Sequence, residues 1–131
     1  MPVIFLDKKN VERLRKGINS DPEFQLASRY MTQDIHFAAD DADCIVRVRD
    51  GVVTEIKLNP FLEPWSYSIE GPIDSWRKFL QPVPPPFYNE IYSCIEARTL
   101  KLVGNLEAAA AHFWALTRMM DIFRELQNAK G

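Results

Sequence analysis

The stretch Thr99–Leu126 reads TLKLVGNLEAAAAHFWALTRMMDIFREL, and its pattern decides how the rest of the chain is interpreted. It predicts a short strand from Leu100 to Val103 that ends at Gly104, followed by one long helix. Asn105 suits the N-cap of that helix, because its side-chain oxygen can accept a hydrogen bond from a first-turn N–H. The helix carries more large apolar side chains than one buried stripe requires. The function of this surplus apolar surface is the main question that the sequence raises.

The surplus falls on two nearly opposite strips when the helix is drawn at about 100° per residue. The first strip packs against a sheet or lines a ligand pocket; it contains Leu106, Ala109, Ala110, Phe113, Leu116, Met120 and Phe123. Methionine suits a pocket, because its thioether packs around varied shapes. The second strip contains Ala108, Ala111, Ala115, Met119, Ile122 and Leu126. It packs under N-terminal helices or forms a homodimer contact through Ala115, Met119, Ile122 and Leu126.

The remainder of the chain predicts an α+β fold. Two N-terminal helices are expected, one from Asp7 to about Ser20 and one opened by a capping box at Ser20–Glu23. Apolar residues then alternate with polar ones, which is typical of strands with one solvated face. Asp50-Gly51 indicates a two-residue hairpin turn between two of these strands. The alternating segments lie around residues 35–37, 44–48, 54–58 and 65–70.

Several prolines lie between the fourth predicted strand and the strand and helix of Thr99–Leu126. A short helix is predicted from Ile73 to Leu80, and a second from Phe87 to Ala97, with Phe87 and Ile91 facing inward. Gln81–Pro86 between them can be neither helix nor central strand. Aromatic residues surround this loop, and they either form a lid over a cavity mouth or fill a core: Trp65, Tyr67, Trp76, Phe79, Phe87 and Tyr88.

Composition limits the classes of function. The chain has 131 residues, which predicts one domain over 1–131, and its net charge of −2 gives no footprint for nucleic acid. No apolar run approaches the roughly 18–20 residues of a membrane span. The N-terminus has no pattern of a secretory leader, so we expect a cytoplasmic protein with Cys44 and Cys94 as buried, reduced thiols.

Three segments, in this order and spacing, resemble the sterol carrier protein type 2 domain family. They are the strands around Asp50-Gly51, the stretch Tyr67–Leu80, and the stretch Thr99–Ala109. The resemblance implies a five-stranded, mostly antiparallel sheet with helices packed on one face and a long C-terminal helix. The ending Ala129-Lys130-Gly131 lacks the peroxisomal Ser-Lys-Leu type of address. The expected relative is therefore a small, bacterial-type, stand-alone member.

The resemblance also implies a non-catalytic carrier that holds a fatty acid, an acyl-CoA or a sterol-like lipid in an apolar tunnel between sheet and helices. An alternative is a protein–protein accessory module of a metabolic pathway, with the pocket filled by its own side chains. The predicted ligand-binding residues are Phe37, Val46, Ile56, Trp65, Tyr67, Trp76, Phe79, Phe87, Ile91, Phe113, Leu116, Met120 and Phe123.

The sequence offers no motif for catalysis or for a cofactor. It contains no nucleophile elbow, phosphate loop or dinucleotide fingerprint, and neither His36 nor His112 has a neighbour at metal-ligand spacing. We therefore predict no enzyme activity, no cofactor and no metal. Arg47, Arg49 and Lys57 share the outer face of the sheet, where they form cross-strand ion pairs or grip a carboxylate or a CoA phosphate.

Overall fold

A computed structural model describes residues 2–129 of the chain. Its centre is a five-stranded sheet in the order β3-β2-β1-β4-β5. The predicted lack of a peroxisomal address depends on Lys130 and Gly131, which lie outside the described residues. The strands are β1 (Gln33–Ala39), β2 (Ala42–Arg49), β3 (Val52–Leu58), β4 (Tyr67–Gly71) and β5 (Lys101–Gly104).

The predicted hairpin turn at Asp50-Gly51 is confirmed. Both residues have positive φ, 50° and 80°, as a type I′ turn requires, and Arg49 pairs directly with Val52. β1, β2 and β3 therefore form an antiparallel meander. β4 pairs with β1 in parallel, and β5 pairs with β4 antiparallel. The sheet is thus mostly antiparallel, with one parallel pair.

Six α-helices accompany the sheet, and a 3-10 turn at Ile4–Leu6 precedes them. The first two helices begin later than the sequence predicted. α1 starts at Val11 because Asp7 caps only the preceding turn, and Asp21 rather than Ser20 caps α2 by accepting from the N–H of Phe24 at 2.8 Å. The helices are α1 (Val11–Asn19), α2 (Pro22–Ala27), α3 (Ile73–Phe79), α4 (Ile91–Glu96), α5 (Leu106–Ala111) and α6 (Phe113–Gln127).

The predicted helix from Phe87 to Ala97 is wrong in its first turn. Phe87 has φ of 73°, which a right-handed helix excludes, and its side chain is 66% exposed rather than inward. Glu90 caps α4 instead, because its carboxylate accepts from the N–H groups of Tyr92 and Ser93. The residues from 81 to 90 therefore form one continuous loop, which contains the proline segment.

The predicted single helix after Gly104 is two helices. Asn105 caps α5 as expected, accepting from the N–H of Ala108 at 3.0 Å. His112, with φ −129° and ψ 40°, then interrupts the helical backbone before α6 begins. The interruption lets α5 lie against β4 while α6 packs against α1 and α2.

The second apolar strip of the C-terminal helix is covered within the chain. Ala115 and Met119 are fully buried and Ile122 is 4% exposed. Leu126 packs against Gly17 of α1, where an added Cβ would lie 2.7 Å from its Cδ1. Of the two interpretations of this strip, packing under the N-terminal helices is the one observed in the chain.

The outer face of the sheet is less open than the alternation predicted. The crossover loop, residues 59–66, links β3 to β4 across this face, because two strands separate them in the sheet. Glu63 of this loop binds Lys57 at 2.6 Å and Arg47 at 2.5 Å. Ile45 lies beside His36 in the register, on the outward side, and is nevertheless fully buried. The predicted cross-strand ion pairs are present as well, with Asp34 bound to both Arg47 and Arg49.

Candidate functional site

Most of the predicted ligand-binding residues lie in the apolar layer between the sheet and the helices. Their shared property is burial, since each side chain is at most 1% exposed. Alternation along the strands directs Phe37, Val46 and Tyr67 to this side of the sheet, and α3, α4 and α6 supply the rest. The buried members are Phe37, Val46, Tyr67, Trp76, Phe79, Ile91, Leu116, Met120 and Phe123.

Aromatic side chains fill the middle of this layer. Phe5, from the N-terminal 3-10 turn, lies with its ring centroid 4.8 Å from Trp76, 5.2 Å from Phe123 and 5.6 Å from Phe37. Gln127 holds the Phe5 segment in place by accepting from the N–H of Ile4 at 2.7 Å. The rings are thus contributed by a terminal segment, the sheet and two helices. We call Phe5, Phe37, Trp76 and Phe123 the aromatic cluster.

One series of side-chain hydrogen bonds crosses the same layer. The hydroxyl of Tyr67 donates to Gln33 Oε1 at 2.9 Å, and Gln33 Nε2 donates to the carbonyl of Ala108 at 2.5 Å. Burial raises the pKa of Tyr67, which keeps its hydroxyl protonated as a donor. These hydrogen bonds connect β4, β1 and α5 at the end of the sheet where β1 begins.

The apolar layer opens to the surface between α4 and the edge strand β5. The cavity there has a volume of about 480 Å³ and is called the α4–β5 opening; it is lined by Ile95, Arg98, Leu100, Lys101 and Leu102. Leu100 is a core residue, 2% exposed, and the side chains of Ile95 and Leu102 pack against that core. Ile91 lies one helical turn before Ile95. The wall of the opening is therefore continuous with the buried layer.

Local backbone chemistry shapes this opening. The carbonyl of Cys94 accepts from the N–H groups of Thr99 at 2.9 Å and Leu100 at 3.3 Å, which ends α4 and starts β5 within a few residues. The turn requires a left-handed residue, and Arg98 provides it with φ of 63°. Helices usually place glycine at this position, because a side chain is strained there. The chain therefore keeps an arginine where glycine would be less strained.

A second cavity, of about 500 Å³, lies on the other side of the same turn. Arg98, Leu100 and Lys101 line both cavities, but the second also contains the carboxylates of Asp40 and Glu70. Asp40 is already engaged, since its Oδ2 accepts from the N–H of Ile73 at 3.1 Å. The α4–β5 opening has no carboxylate among its lining residues, so the two cavities differ in charge.

The other predicted site residues lie away from the middle of the layer. Ile56 and Phe113 are partly buried against its margin. Phe87 lines a smaller cavity of about 250 Å³ with Ser93, Glu96 and Ala97. Trp65 lies in the crossover loop on the outer face, stacked on the ring of His36 at 5.3 Å and 8°. Trp65 thus faces away from the helices.

The outer face also holds a polar cluster that the sequence did not reveal. His36 Nε2 lies 2.7 Å from Asp43 Oδ2, and His36 Nδ1 lies 2.7 Å from Ser68 Oγ, which in turn lies 3.2 Å from Glu70 Oε2. Asp43 is diagonal to His36 across the β1–β2 hairpin, and Ser68 is beside it through the parallel pair. Of these contacts, only the one between His36 and Asp43, across the hairpin, could have been found from sequence. Ser68 is fully buried beneath this cluster, so its hydroxyl is not open to a substrate.

Both cysteines are buried and unbridged. Burial raises the pKa of each thiol, and for Cys44 the nearby carboxylate of Asp43 adds to the effect. Within residues 2–129, no group of three or more His, Cys, Asp or Glu side chains is placed to hold a metal ion. In the same part of the chain, every helix is too short or too polar to cross a bilayer.

Comparisons with known proteins bear on the fold. No family model matches the sequence, and no curated protein matches it by sequence. Among solved structures, sterol carrier protein 2 superposes with a TM-score of 0.73 at 15% identity, over 87% of this chain and 92% of that chain. The ubiquinone synthesis protein UbiJ-SCP2 gives 0.56 at 9% identity, over 86% of this chain and 90% of its own.

A third similar structure is a conserved hypothetical protein from Thermus thermophilus, described as possibly a sterol carrier protein. It gives a TM-score of 0.56 at 16% identity, over 98% of this chain and 84% of that chain. These three matches cover between 86% and 98% of this chain. The chain therefore has the fold of sterol carrier protein 2.

Proposed function

We propose that this protein is a non-catalytic carrier of an apolar or amphipathic lipid in the cytoplasm, with the aliphatic part of the ligand held between the sheet and the helices. The observation that supports the proposal is the α4–β5 opening, whose wall of Ile95, Leu100 and Leu102 continues into the buried layer. A lipid tail gains about 0.8 kcal/mol for each CH₂ that it buries. The fold shared with sterol carrier protein 2 agrees with this function.

Binding requires the layer to widen, since the aromatic cluster fills its middle. Phe5 is the member whose displacement we propose, because it lies in the short 3-10 turn at Ile4–Leu6, which is held by the burial of Ile4 and Phe5 and by hydrogen bonds between Gln127 and the backbone of Pro2 and Ile4. A tail that entered from the α4–β5 opening would replace one buried apolar contact with another. The cost of moving Phe5 is therefore offset by the tail itself.

The test is a transfer assay with a matched pair of variants. Purified protein should carry a fluorescent fatty acid from donor to acceptor vesicles, and native mass spectrometry should detect lipid bound to freshly purified protein. Ile95→Asp places a charge in the opening and should abolish transfer. Tyr92→Asp is the control, because Tyr92 is 60% exposed on the same helix and lies outside the lining of the opening. Equal transfer by both variants, or no transfer by the natural chain, would refute the proposal.

The alternative function is an accessory module that binds another protein and holds no lipid. The packed aromatic cluster favours it, since the ring contacts already fill the space that a tail would use. A homodimer through Ala115, Met119, Ile122 and Leu126 stays a prediction; it would require α1 and α2 to move from α6. Size-exclusion chromatography with light scattering, combined with the lipid measurement above, separates the cases. Lipid-free protein that forms a stable complex would favour the module.

A further inference from the structure

We infer that the crossover loop, residues 59–66, docks the protein on the surface of an electroneutral lipid bilayer, with Phe61 and Leu62 inserted among the acyl chains. The inference goes beyond the proposed carrier function, because it concerns the outer face of the sheet and does not depend on what the apolar layer holds. We call Phe61 and Leu62 the loop tip.

The loop tip places two large apolar side chains next to each other in solvent. Phe61 is 82% exposed, and Leu62, at 89%, is the most exposed large apolar side chain among residues 2–129. Trp65 of the same loop is 37% exposed. Single exposed apolar residues are ordinary on a protein surface, whereas neighbouring ones indicate a contact site.

The sheet holds the loop in a defined conformation. The N–H of Asn59 donates to the carbonyl of Asp43 at 2.8 Å, which fixes the start of the loop. The N–H of Ser66 donates to the carbonyl of Asp34 at 2.7 Å, which fixes its end. A proline on each side of the loop tip restricts φ further. The apolar pair is therefore presented by a loop that is anchored at both ends.

The backbone at Leu62 supports a contact role for its side chain. Its φ of 53° lies in the left-handed region, which is strained for a bulky residue and which glycine adopts freely. Packing within the chain does not compensate for this strain, because the side chain is almost fully exposed. Residues in such conformations concentrate at ligand contacts and other functional positions. Insertion into an apolar medium accounts for a leucine at this position.

The order of polarity along the loop fits a bilayer better than a protein pocket. The loop tip is its most exposed part, Trp65 is stacked on the ring of His36, and Glu63 is ion-paired with the sheet. Tryptophan is enriched at the boundary between acyl chains and headgroups. A protruding tip needs a preformed cavity in a protein partner, whereas fluid acyl chains close around it without one.

The charges at the base of the loop determine the kind of bilayer. Three cations and three carboxylates there are ion-paired with one another, so this surface has no excess charge to attract an anionic membrane. A layer of zwitterionic headgroups is the surface that it fits. The paired residues are Arg47, Arg49, Lys57, Asp34, Glu55 and Glu63.

The test is flotation of the natural chain with phosphatidylcholine vesicles, without any added ligand. The chain should float with the vesicles. The bound fraction should change by less than about twofold when salt shortens the Debye length from about 30 Å to about 3 Å, or when phosphatidylserine replaces part of the phosphatidylcholine. A chain that does not float, or that floats only with phosphatidylserine at low salt, would overturn the inference.

Variants of the loop tip identify the contact. Phe61→Asp and Leu62→Asp should each lower the bound fraction about tenfold or more, because each places a carboxylate among acyl chains. Val83→Asp is the matched control, since Val83 is 84% exposed in the loop of residues 81–90, and it should bind like the natural chain. Leu62→Gly should weaken binding without lowering the melting temperature, because glycine relieves the left-handed backbone. Equal binding by Leu62→Asp and Val83→Asp would contradict the inference.

The depth of insertion is measured with phosphatidylcholine that carries bromine on its acyl chains, which quenches nearby tryptophan. Phe61→Trp should be quenched more than the natural chain, whereas Val83→Trp should show no additional quenching. Equal additional quenching of the two variants would show that the loop tip has no special place in the bilayer.

The outcomes are separate from those of the carrier proposal. Flotation that depends on the loop tip, together with failure of the transfer assay, leaves the docking surface in place and refutes only the carrier function. A natural chain that stays unbound but forms an oligomer that Leu62→Asp abolishes, seen by light scattering, would assign the loop tip to a protein contact and overturn the inference.

Discussion

Replacement of Phe5 by alanine is the most direct measure of how the aromatic cluster holds the apolar layer. Phe5 is fully buried and contacts three aromatic rings at centroid distances of 4.8 to 5.6 Å. Truncation of a buried phenylalanine to alanine costs about 3–5 kcal/mol, through lost transfer free energy and the cavity that remains. With three ring neighbours, we expect Phe5→Ala to lower the free energy of unfolding by about 4 kcal/mol.

Urea denaturation, followed by tryptophan fluorescence and circular dichroism, measures this change. The midpoint should fall while the slope with denaturant stays constant, because the surface exposed on unfolding barely changes. Phe61→Ala is the control, since Phe61 is 82% exposed and its truncation should change stability by no more than about 0.5 kcal/mol. A loss below about 1.5 kcal/mol for Phe5→Ala would refute the argument that the N-terminal ring fills the layer.

The same variant links stability to the proposed function. The cavity left by Phe5 lies inside the layer that a lipid tail would occupy. A ligand that binds only the folded state adds RT ln(1 + [L]/Kd) to its stability, which is about 2.7 kcal/mol at a hundredfold excess over Kd. The fatty acid of the transfer assay should therefore stabilise Phe5→Ala more than it stabilises the natural chain. Equal stabilisation of the two proteins would show that Phe5 does not compete with the ligand.

Three further predictions concern positions outside the opening. Asp21→Ala should cost about 2 kcal/mol, because it removes both the cap of α2 and the ion pair with Arg118, whereas Asp21→Asn keeps a cap acceptor and should cost about half as much. The hydrogen bond from Arg118 holds the pKa of Asp21 below its usual range, so this stability is present above about pH 4 and is lost as the pH falls through the lower folded value. The deficit of Asp21→Asn in urea denaturation should therefore shrink from about pH 7 toward about pH 3, and a constant deficit would contradict the pKa shift. Gly104→Ala should lower the free energy of unfolding by about 2 kcal/mol in the same assay. The reason is that φ of Gly104 is 105° and that an added Cβ would lie 3.0 Å from the backbone at the start of β4. An unchanged free energy of unfolding would exclude this strain. Ala115→Asp should lower the melting temperature sharply, as it buries an unpaired charge between helices, while Ala110→Asp on the exposed side of α5 should not; similar melts would argue that the second strip is open to solvent.

Local chemistry made much of the fold predictable. Asp50-Gly51 specifies its hairpin because a type I′ turn needs two residues that tolerate positive φ. Asn105 specifies the start of α5 because it satisfies an N–H that the helix itself leaves unpaired. Alternation along β1 and the strip on α6 identified most of the buried layer, since apolar side chains must share one face. In each case, residues a few positions apart carry the whole physical cause.

The rest depends on contacts between distant segments. The sequence pattern predicts Phe87 as the first residue of a helix, but its left-handed backbone belongs to a loop. Arg124 of α6 binds this loop by donating hydrogen bonds to the carbonyls of Tyr88 and Asn89. Trp65 reads as part of a strand, whereas the crossover loop places it on His36. The α4–β5 opening was missed as well, because its apolar wall and its cations come from a helix, a turn and an edge strand that converge only in three dimensions.

Sequence alone thus determined the class of fold, the Asp50-Gly51 turn, the Asn105 cap and most of the side chains of the buried layer. These features follow from periodicity and from hydrogen bonds between residues that are close together in the sequence. Tertiary structure decided the parallel pairing of β1 with β4, the break at His112, the central position of Phe5 and the α4–β5 opening. Those features follow from the packing of segments far apart in sequence, and packing has no short-range signature.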